Sequence, residues 1–318
     1  MASTPEAEIP DPDSASGDSE APMADVPEKT TCQAFLQWAL PQLGLRWPGF
    51  RRVHRLVCKR VGRRLAALRL VDAGAYRSYL DSHPEEWQML DSFCRIPISR
   101  LMRDRAVFEA LGRTVLPELA RATLARGGRE LRAWSAGCAS GEEPHTLRIL
   151  WQLELAPRFP TLSLAILATD VDAELLERTR CGCYGRSSLR ELPLEWLYAA
   201  FTRSAGVYAL RPEFRHGLEL RRQDLRAATP DGPFDLVLCR NLAFTYFDAP
   251  SQRRALARIL STLRPGGALV IGLKERLPEG DGGVERWVPA LRIYRKAVAV
   301  GCGDGARNAV TVGAHGWS

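Results

Sequence analysis

Between Phe50 and Leu70 apolar residues return every three or four positions, at Val53, Leu56, Val57, Val61, Leu65 and Leu68. That spacing lays them along one side of a helix. Arg52, Arg55, Lys59, Arg60, Arg63 and Arg64 fill the other sides, so residues 50–70 read as a basic amphipathic helix. Shorter helical patterns follow at AGAYRSYLDS, EEWQMLDSF, Ser99 to Ala110 and Val115 to Ala125. His83-Pro84, Gly112 and the pair Gly127-Gly128 punctuate them.

After the double glycine the period changes. LRAWSA (131–136), LSLAILATD (162–170), FDLVLC (234–239) and GALVIGL (267–273) are short apolar runs of strand length. GEEPHTLRILWQLEL, DAELLERTR (172–180) and SQRRALARILSTL (251–263) lie between them with helical spacing, and WVPALRIYRK (287–296) closes as a strand or hairpin. Strands alternating with helices predict an α/β fold around a doubly wound, mostly parallel sheet. Ligands of such sheets bind at the carboxyl ends of the strands. The expected organisation is a helical domain over 31–128 and an α/β domain over 129–298, with tails at 1–30 and 299–318.

Charge sharpens this picture. Residues 1–30 carry eight acids against Lys29, a net −7, which leaves about +14 for the remainder of a chain whose formal charge is +7. The acidic tail has too few large apolar side chains to offset its ordering entropy, so it is expected to be disordered. The basic body points to an acidic or polyanionic partner. Its basic helix suits a membrane surface, nucleic acid or an acidic protein helix. No apolar run is long enough to span a membrane, and the acidic N-terminus lacks the features of a secretory signal. The eight Cys show no metal-ligand spacing, so no metal is expected, and reduced thiols in a cytoplasmic protein are.

Candidate chemistry follows the strands. SAGCASGEEP (135–144) puts small residues after the first strand and before a helix, where backbone can approach a ligand closely. A plain tight turn would use the same residues. Asp170 closes the second strand, the place from which an acid holds ribose hydroxyls in nucleotide-binding α/β domains; an ordinary helix cap is the alternative, and Asp172 fills that role too. Asp224 precedes the third apolar strand, which ends in Cys239-Arg240-Asn241, and LRPGG (263–267) enters the next strand. Together these features favour a nucleoside cofactor.

The stretch from about Leu43 to Lys296 resembles the chemotaxis receptor glutamate O-methyltransferases, the CheR family. RVGRRLAALRLVDAGAYRSYL, ISRLMRDRAVFEAL, AWSAGCASGEEP with ATDVD, CRNLAFTYFD, LRPGGALVIG and the closing IYRK carry the resemblance, in order and at suitable spacing. It implies a class I, Rossmann-like S-adenosylmethionine-dependent methyltransferase sheet, a small inserted β-subdomain at about 184–222, and a helical N-terminal domain. It implies that Glu143 contacts the methionine end of S-adenosylmethionine and Asp170 the ribose. Asp224 and Leu225 would flank the adenine, and Arg240 and Asn241 would line the pocket near the methyl group. Ser99 and Arg103 would close over the cofactor, and Tyr246 would sit at the methyl-transfer centre, unless Thr245 takes that place. The acceptor would be a glutamate on an acidic helical protein docked on the 50–70 helix.

The sequence departs from the family pattern at Pro97 and Ser99, where Asn and Thr are usual. It departs again at Leu101 and Met102, which replace two Phe, and at Leu273-Lys274, which replace a His-Ser pair. These changes fall on the acceptor side. A glutamate carboxylate is ionised at neutral pH and needs no general base; positioning is the enzyme's main task, and Arg103 would supply a planar pair of donors. A nucleic-acid methyltransferase and a non-catalytic cofactor-binding protein are the rival readings. Against nucleic acid, no NPPY- or DPPY-type segment follows FDLVLC and no Pro-Cys nucleophile is present.

Overall fold

A computed structural model describes residues 31–280 and 283–298. The two expected tails lie outside the described residues. Five helices open the structure: α1 (Cys32–Gln42), α2 (Trp47–Phe50), α3 (His54–Leu68), α4 (Ala73–Ser82) and α5 (Glu86–Phe93). Thr31 and Asp72 cap α1 and α4 by accepting from the backbone N–H groups of Ala34 and Ala75. Helices α6 (Arg105–Ala110) and α7 (Leu116–Ala125) follow, joined by a single π-helical stretch through Gly112. A Cβ at Gly112 would stand 2.8 Å from Leu150, so glycine is what lets α7's approach close against the next helix.

The α/β part runs β1 (Glu130–Ala136), α8 (Glu142–Leu150), β2 (Ser163–Asp170), α9 (Ala173–Cys181) and β3 (Cys183–Tyr184), then α10 (Leu194–Ala200), β4 (Phe201–Ser204), β5 (Val207–Leu210) and β6 (Leu218–Arg222). It continues through β7 (Phe234–Cys239), α11 (Ala243–Tyr246), α12 (Ala249–Thr262), β8 (Leu263–Ile271), β9 (Val284–Val288) and β10 (Ile293–Lys296). Seven strands form one sheet in the order β6-β2-β1-β7-β8-β10-β9. The first five run parallel, and β10 is antiparallel to both its neighbours. The strand order reverses between β1 and β7, which opens a crevice at their carboxyl ends. This is the mostly parallel sheet that the alternating pattern predicts and the class I arrangement that the resemblance implies.

The helices do not form a core of their own. Phe35, Leu40, Phe50, Tyr76 and Leu90 pack with Trp134, Phe234, Val237 and Leu269 of the sheet in one cluster. Leu101, Phe108, Leu116 and Leu147 join Ala133, Ile166, Leu236 and Val270 on the opposite face. The chain therefore passes from one side of the sheet to the other between Ile96 and Arg105, and this passage lies across the strand ends.

Four local expectations change. The helix expected from Ser99 begins only at Arg105, because Met102 and Asp104 adopt left-handed φ of 55° and 60° and Pro97 keeps the preceding chain extended. LRPGG is part of β8, with a register shift opposite Phe234–Leu236 and Gly266 at φ 76°. The inserted three-stranded sheet, ordered β3-β5-β4, is smaller than the 184–222 stretch, because Leu218–Arg222 is an edge strand of the main sheet. Finally, Cys32 is bonded to Cys58, and Cys181 to Cys183, where reduced thiols were expected. Spacing in sequence carries no record of how α1 approaches α3, which is what brings the first pair together.

Candidate active site

All nine residues singled out in the sequence line one cleft at the carboxyl ends of β1, β2, β6 and β7: Ser99, Arg103, Glu143, Asp170, Asp224, Leu225, Arg240, Asn241 and Tyr246. The sheet supplies the floor and the passage 96–103 supplies a wall. Gly137 begins the turn after β1 at φ 76°, and a Cβ there would come within 2.4 Å of Leu242, so backbone fills the place of a side chain. The N–H of Gly137 and of Cys138 both donate to the Thr169 carbonyl, which locks this turn to the end of β2.

Asp170 accepts from the N–H of Ala139 at 3.0 Å and from that of Asp172 at 3.0 Å. Burial raises its pKa above the ordinary carboxylate value, against the pull of those donors. Asp172, not Asp170, caps α9 through the N–H groups of Glu174 and Leu175. Glu143 lies in the first turn of α8, where it accepts from Ser135 Oγ at 2.7 Å and from Arg240 at 3.2 Å. Asp224 is half-buried. Burial raises its pKa but the adjacent Arg226 guanidinium and N–H outweigh it, so the net shift is downward.

Arg240 is a hub. Its side chain is 3% exposed, and its guanidinium donates to Glu143, to Asp104 at 2.8 Å and to the Arg103 carbonyl at 2.8 Å. It thereby ties the passage to β7 and α8. Arg103 itself donates to the Ile98 carbonyl at 2.7 Å, which folds the passage back over the cleft. Ser99 lies beside it, half-buried.

Of the two candidates on α11, Tyr246 lines the cleft, while Thr245 donates to Glu275 at 2.6 Å. Burial raises the Tyr246 phenol pKa, and the Arg103 charge acts in the opposite direction. The turn is fixed from outside: Arg46 donates to the Phe244 and Thr245 carbonyls, and a Cβ at Gly49 would overlap the Thr245 carbonyl oxygen at 2.3 Å. Asn241 adopts left-handed φ of 57°.

Sequence reading missed two groups. Glu275 is 3% exposed and accepts from the N–H groups of Asn241 and Gly272 and from Thr245. Burial raises its pKa. Arg226 forks between Asp91 on α5, at 2.6 and 3.0 Å, and Asp224, at 2.8 Å, and so staples the helices to the cleft. Only the Asp-x-Arg spacing of 224–226 hints at the second contact; the partners from elsewhere in the chain leave no local trace. The 50–70 helix also divides. Arg60 donates to the Phe93 and Arg95 carbonyls, and Arg64 forks onto the buried Glu86. Arg52, Arg55, Lys59 and Arg63 are exposed.

S-adenosylmethionine fits this donor set. Its ammonium, ribose hydroxyls and adenine amine are hydrogen-bond donors, and Glu143, Asp170 and Asp224 offer acceptors along the cleft. Among the described residues no group of three or more His, Cys, Asp or Glu side chains is placed to hold a metal ion, and no helix is long and apolar enough to cross a membrane.

Residues 98–290 match the family model described as CheR methyltransferase, SAM binding domain. Chemotaxis protein methyltransferase 2 of Pseudomonas aeruginosa is 34% identical over 227 residues, 70% of this chain and 78% of its own length. The chemotaxis protein methyltransferase of Escherichia coli K12 is 31% identical over 252 residues, 71% of this chain and 83% of its own. An uncharacterised 104.1 kDa protein of Rhodobacter capsulatus is 36% identical over 224 residues, but the chain spans only 23% of that protein's length. The cleft, the sheet that builds it and these matches agree: the chain belongs to the CheR family of S-adenosylmethionine-dependent methyltransferases.

Proposed function

We propose that this chain transfers a methyl group from S-adenosylmethionine to a glutamate side chain of a helical protein, forming a carboxyl methyl ester in the cytoplasm. The observation that carries it is the split lining of the cleft. Glu143, Asp170 and Asp224 offer acceptors on the strand-end side, and Arg103 stands beside Tyr246 on the wall of the passage. Carboxylates suit the cationic donor, and a guanidinium suits an anionic acceptor. When bound, S-adenosylmethionine supplies an electrophilic methyl on its sulfonium.

This chain's residues then bind and orient. Asp170 holds the ribose, Glu143 the methionine end, and Asp224 with Leu225 the adenine. Arg240 and Asn241 border the methyl group, and Ser99 and Arg103 cover the donor. Arg103 keeps donors available beyond its contact with Ile98, and these align the incoming carboxylate. No group need take a proton, since the carboxylate attacks as the anion. Tyr246 and the exposed Ile98 flank the entrance and exclude water. The acceptor helix docks on the exposed stripe Arg55, Lys59 and Arg63, whose four-residue steps share one face of α3, with the exposed Arg52 in the turn just before it.

The pure protein should be incubated with methyl-labelled donor and a lysate of its source. Label on protein that base releases is the expected result, and Arg103→Lys should lose most turnover while donor affinity falls much less, because a point charge does not reproduce the planar fork. Base-stable label, or label on nucleic acid, would overturn the glutamate reading.

A further inference from the structure

We propose that Cys181 and Cys183 form a thiol–disulfide exchange site, open to a small disulfide of the glutathione type, that sets how firmly the turn 137–141 is held. The second half of this proposal rests on the reading of that turn as part of the donor site. The two cysteines flank Gly182 at the end of α9, with Cα atoms 5.3 Å apart, and both are exposed. Gly182 takes left-handed φ of 62°, and its N–H returns to the Arg178 and Thr179 carbonyls. This helix-ending turn brings the two sulfurs together across one residue.

Selectivity follows from the surroundings. Both sulfurs are reachable from solvent, and Arg215, which donates to the Cys181 carbonyl at 3.4 Å, places a cation near the pair to draw in an anionic small disulfide. Cys94, Cys138 and Cys239 are buried, and burial pushes the Cys94 thiol up to about 12. In a reducing compartment the 181–183 pair rests as a dithiol, so its closure is an event. One thiolate attacks the small disulfide, forming a mixed disulfide and releasing one small thiol. The second protein thiolate attacks the mixed disulfide and releases the other. Two protein thiols are oxidised and one small disulfide is reduced to two thiols.

The pair adjoins the two side chains that hold the turn. Thr179, two residues before Cys181, donates to the Ala139 carbonyl at 3.2 Å and presses on Gly141, where a Cβ would stand 2.4 Å from its methyl. Tyr184, next after Cys183, donates to the Ser140 carbonyl at 2.9 Å, and its oxygen accepts from Nδ1–H of buried His145 at 2.6 Å. Opening the disulfide leaves Gly182 held by hydrogen bonds alone, removes the covalent clamp between these two anchors and loosens both.

The full chain should be equilibrated in glutathione buffers of graded poise. Differential alkylation with mass analysis then reads each cysteine, and calorimetry reads affinity for S-adenosylhomocysteine. The expected result is a midpoint shared by Cys181 and Cys183, with affinity falling roughly fivefold on reduction, the lower end of ordinary coupling between sites. Cys181→Ser/Cys183→Ser should keep the reduced-form affinity at every poise, and Cys32→Ser/Cys58→Ser should retain the dependence. A pair that stays reduced in oxidised glutathione, equal affinity in both states, or a dependence that survives the 181/183 double variant would each overturn the proposal. Loss of binding in both states would instead overturn the donor-site reading and the coupling built on it, while the alkylation midpoint still decides whether the exchange site exists.

Discussion

Asp170 illustrates how one side chain serves structure and ligand at once. Two backbone N–H groups fix its carboxylate at the end of β2, and its remaining lone pairs face the cleft. A hydrogen bond to a charged group contributes about 1.5–3 kcal/mol, so Asp170→Ala should weaken S-adenosylhomocysteine binding at least tenfold. Calorimetry on the two proteins checks this, and equal affinities would remove the ribose assignment. Glu275 acts differently. It touches Asn241, Gly272 and Thr245 from beneath and holds the strained Asn241 backbone, so its part is to position Tyr246's turn.

Helix α3 separates two jobs on two faces. Its inner face supports the fold: Arg64 and Tyr76 both donate to Glu86, whose side chain is 5% exposed, and Arg60 takes the carbonyls at the end of α5. The fork from Arg64 holds the Glu86 carboxyl below its ordinary pKa, despite burial. Removing Arg64 would strand a buried carboxylate, so Arg64→Ala should cost about 3 kcal/mol of stability by denaturant titration. Reversing Arg55, Lys59 and Arg63 to Glu should leave stability and donor binding near wild type. It should raise KM for a protein acceptor, with a weaker salt dependence. An unchanged KM would make the stripe an ordinary solvated face.

This division marks what the sequence made legible. Periodicity located α3 and the end of β2, because a helix face and a strand terminus are local facts. It did not separate Arg60 and Arg64 from Arg55 and Arg63, because that difference lies in α5 and the turn after it, 22 to 35 residues away. The same cause hid Arg226–Asp91 and the Cys32–Cys58 disulfide. The passage 97–104 has a helix-like pattern, yet its conformation is dictated by contacts: Leu101 N–H donates to the Ser188 carbonyl, Met102 N–H to Thr146, and Arg240 grips Arg103 and Asp104. The strand Leu218–Arg222 is polar on its outer positions because it is an edge, and so lacks the apolar run that marked its neighbours.

At the scale of the whole molecule, one buried imidazole should set part of the pH response. Burial, with Arg215 and Arg148 nearby, lowers the His145 pKa to about 3, whereas an unfolded His titrates near ~6.5. Between these values the unfolded chain binds the extra proton, so this contribution is complete above the unfolded pKa and lost as pH falls. The loss approaches about 1.4 kcal/mol per pH unit. Denaturant titrations at pH 7, 5.5 and 4.5 should therefore converge for wild type and His145→Gln as pH falls; parallel curves would remove His145 as the cause.

The shared core has a consequence for how the protein is made. Phe35 and Tyr294 belong to one cluster, and the strands that cover the opening helices are synthesised well after them. At ribosomal rates of about 5–20 residues per second, the helices wait roughly ten seconds to a minute for that sheet face to exist. During that interval Phe35, Leu40, Phe50 and Tyr76 have no permanent cover. A nascent chain stalled before β7 would hold a sticky, helix-rich intermediate, and holding chaperones would meet the protein by these helices. Truncations that keep only the helices would inherit the same exposure, and ones that keep only the sheet would bare Trp134 and Phe234 in turn.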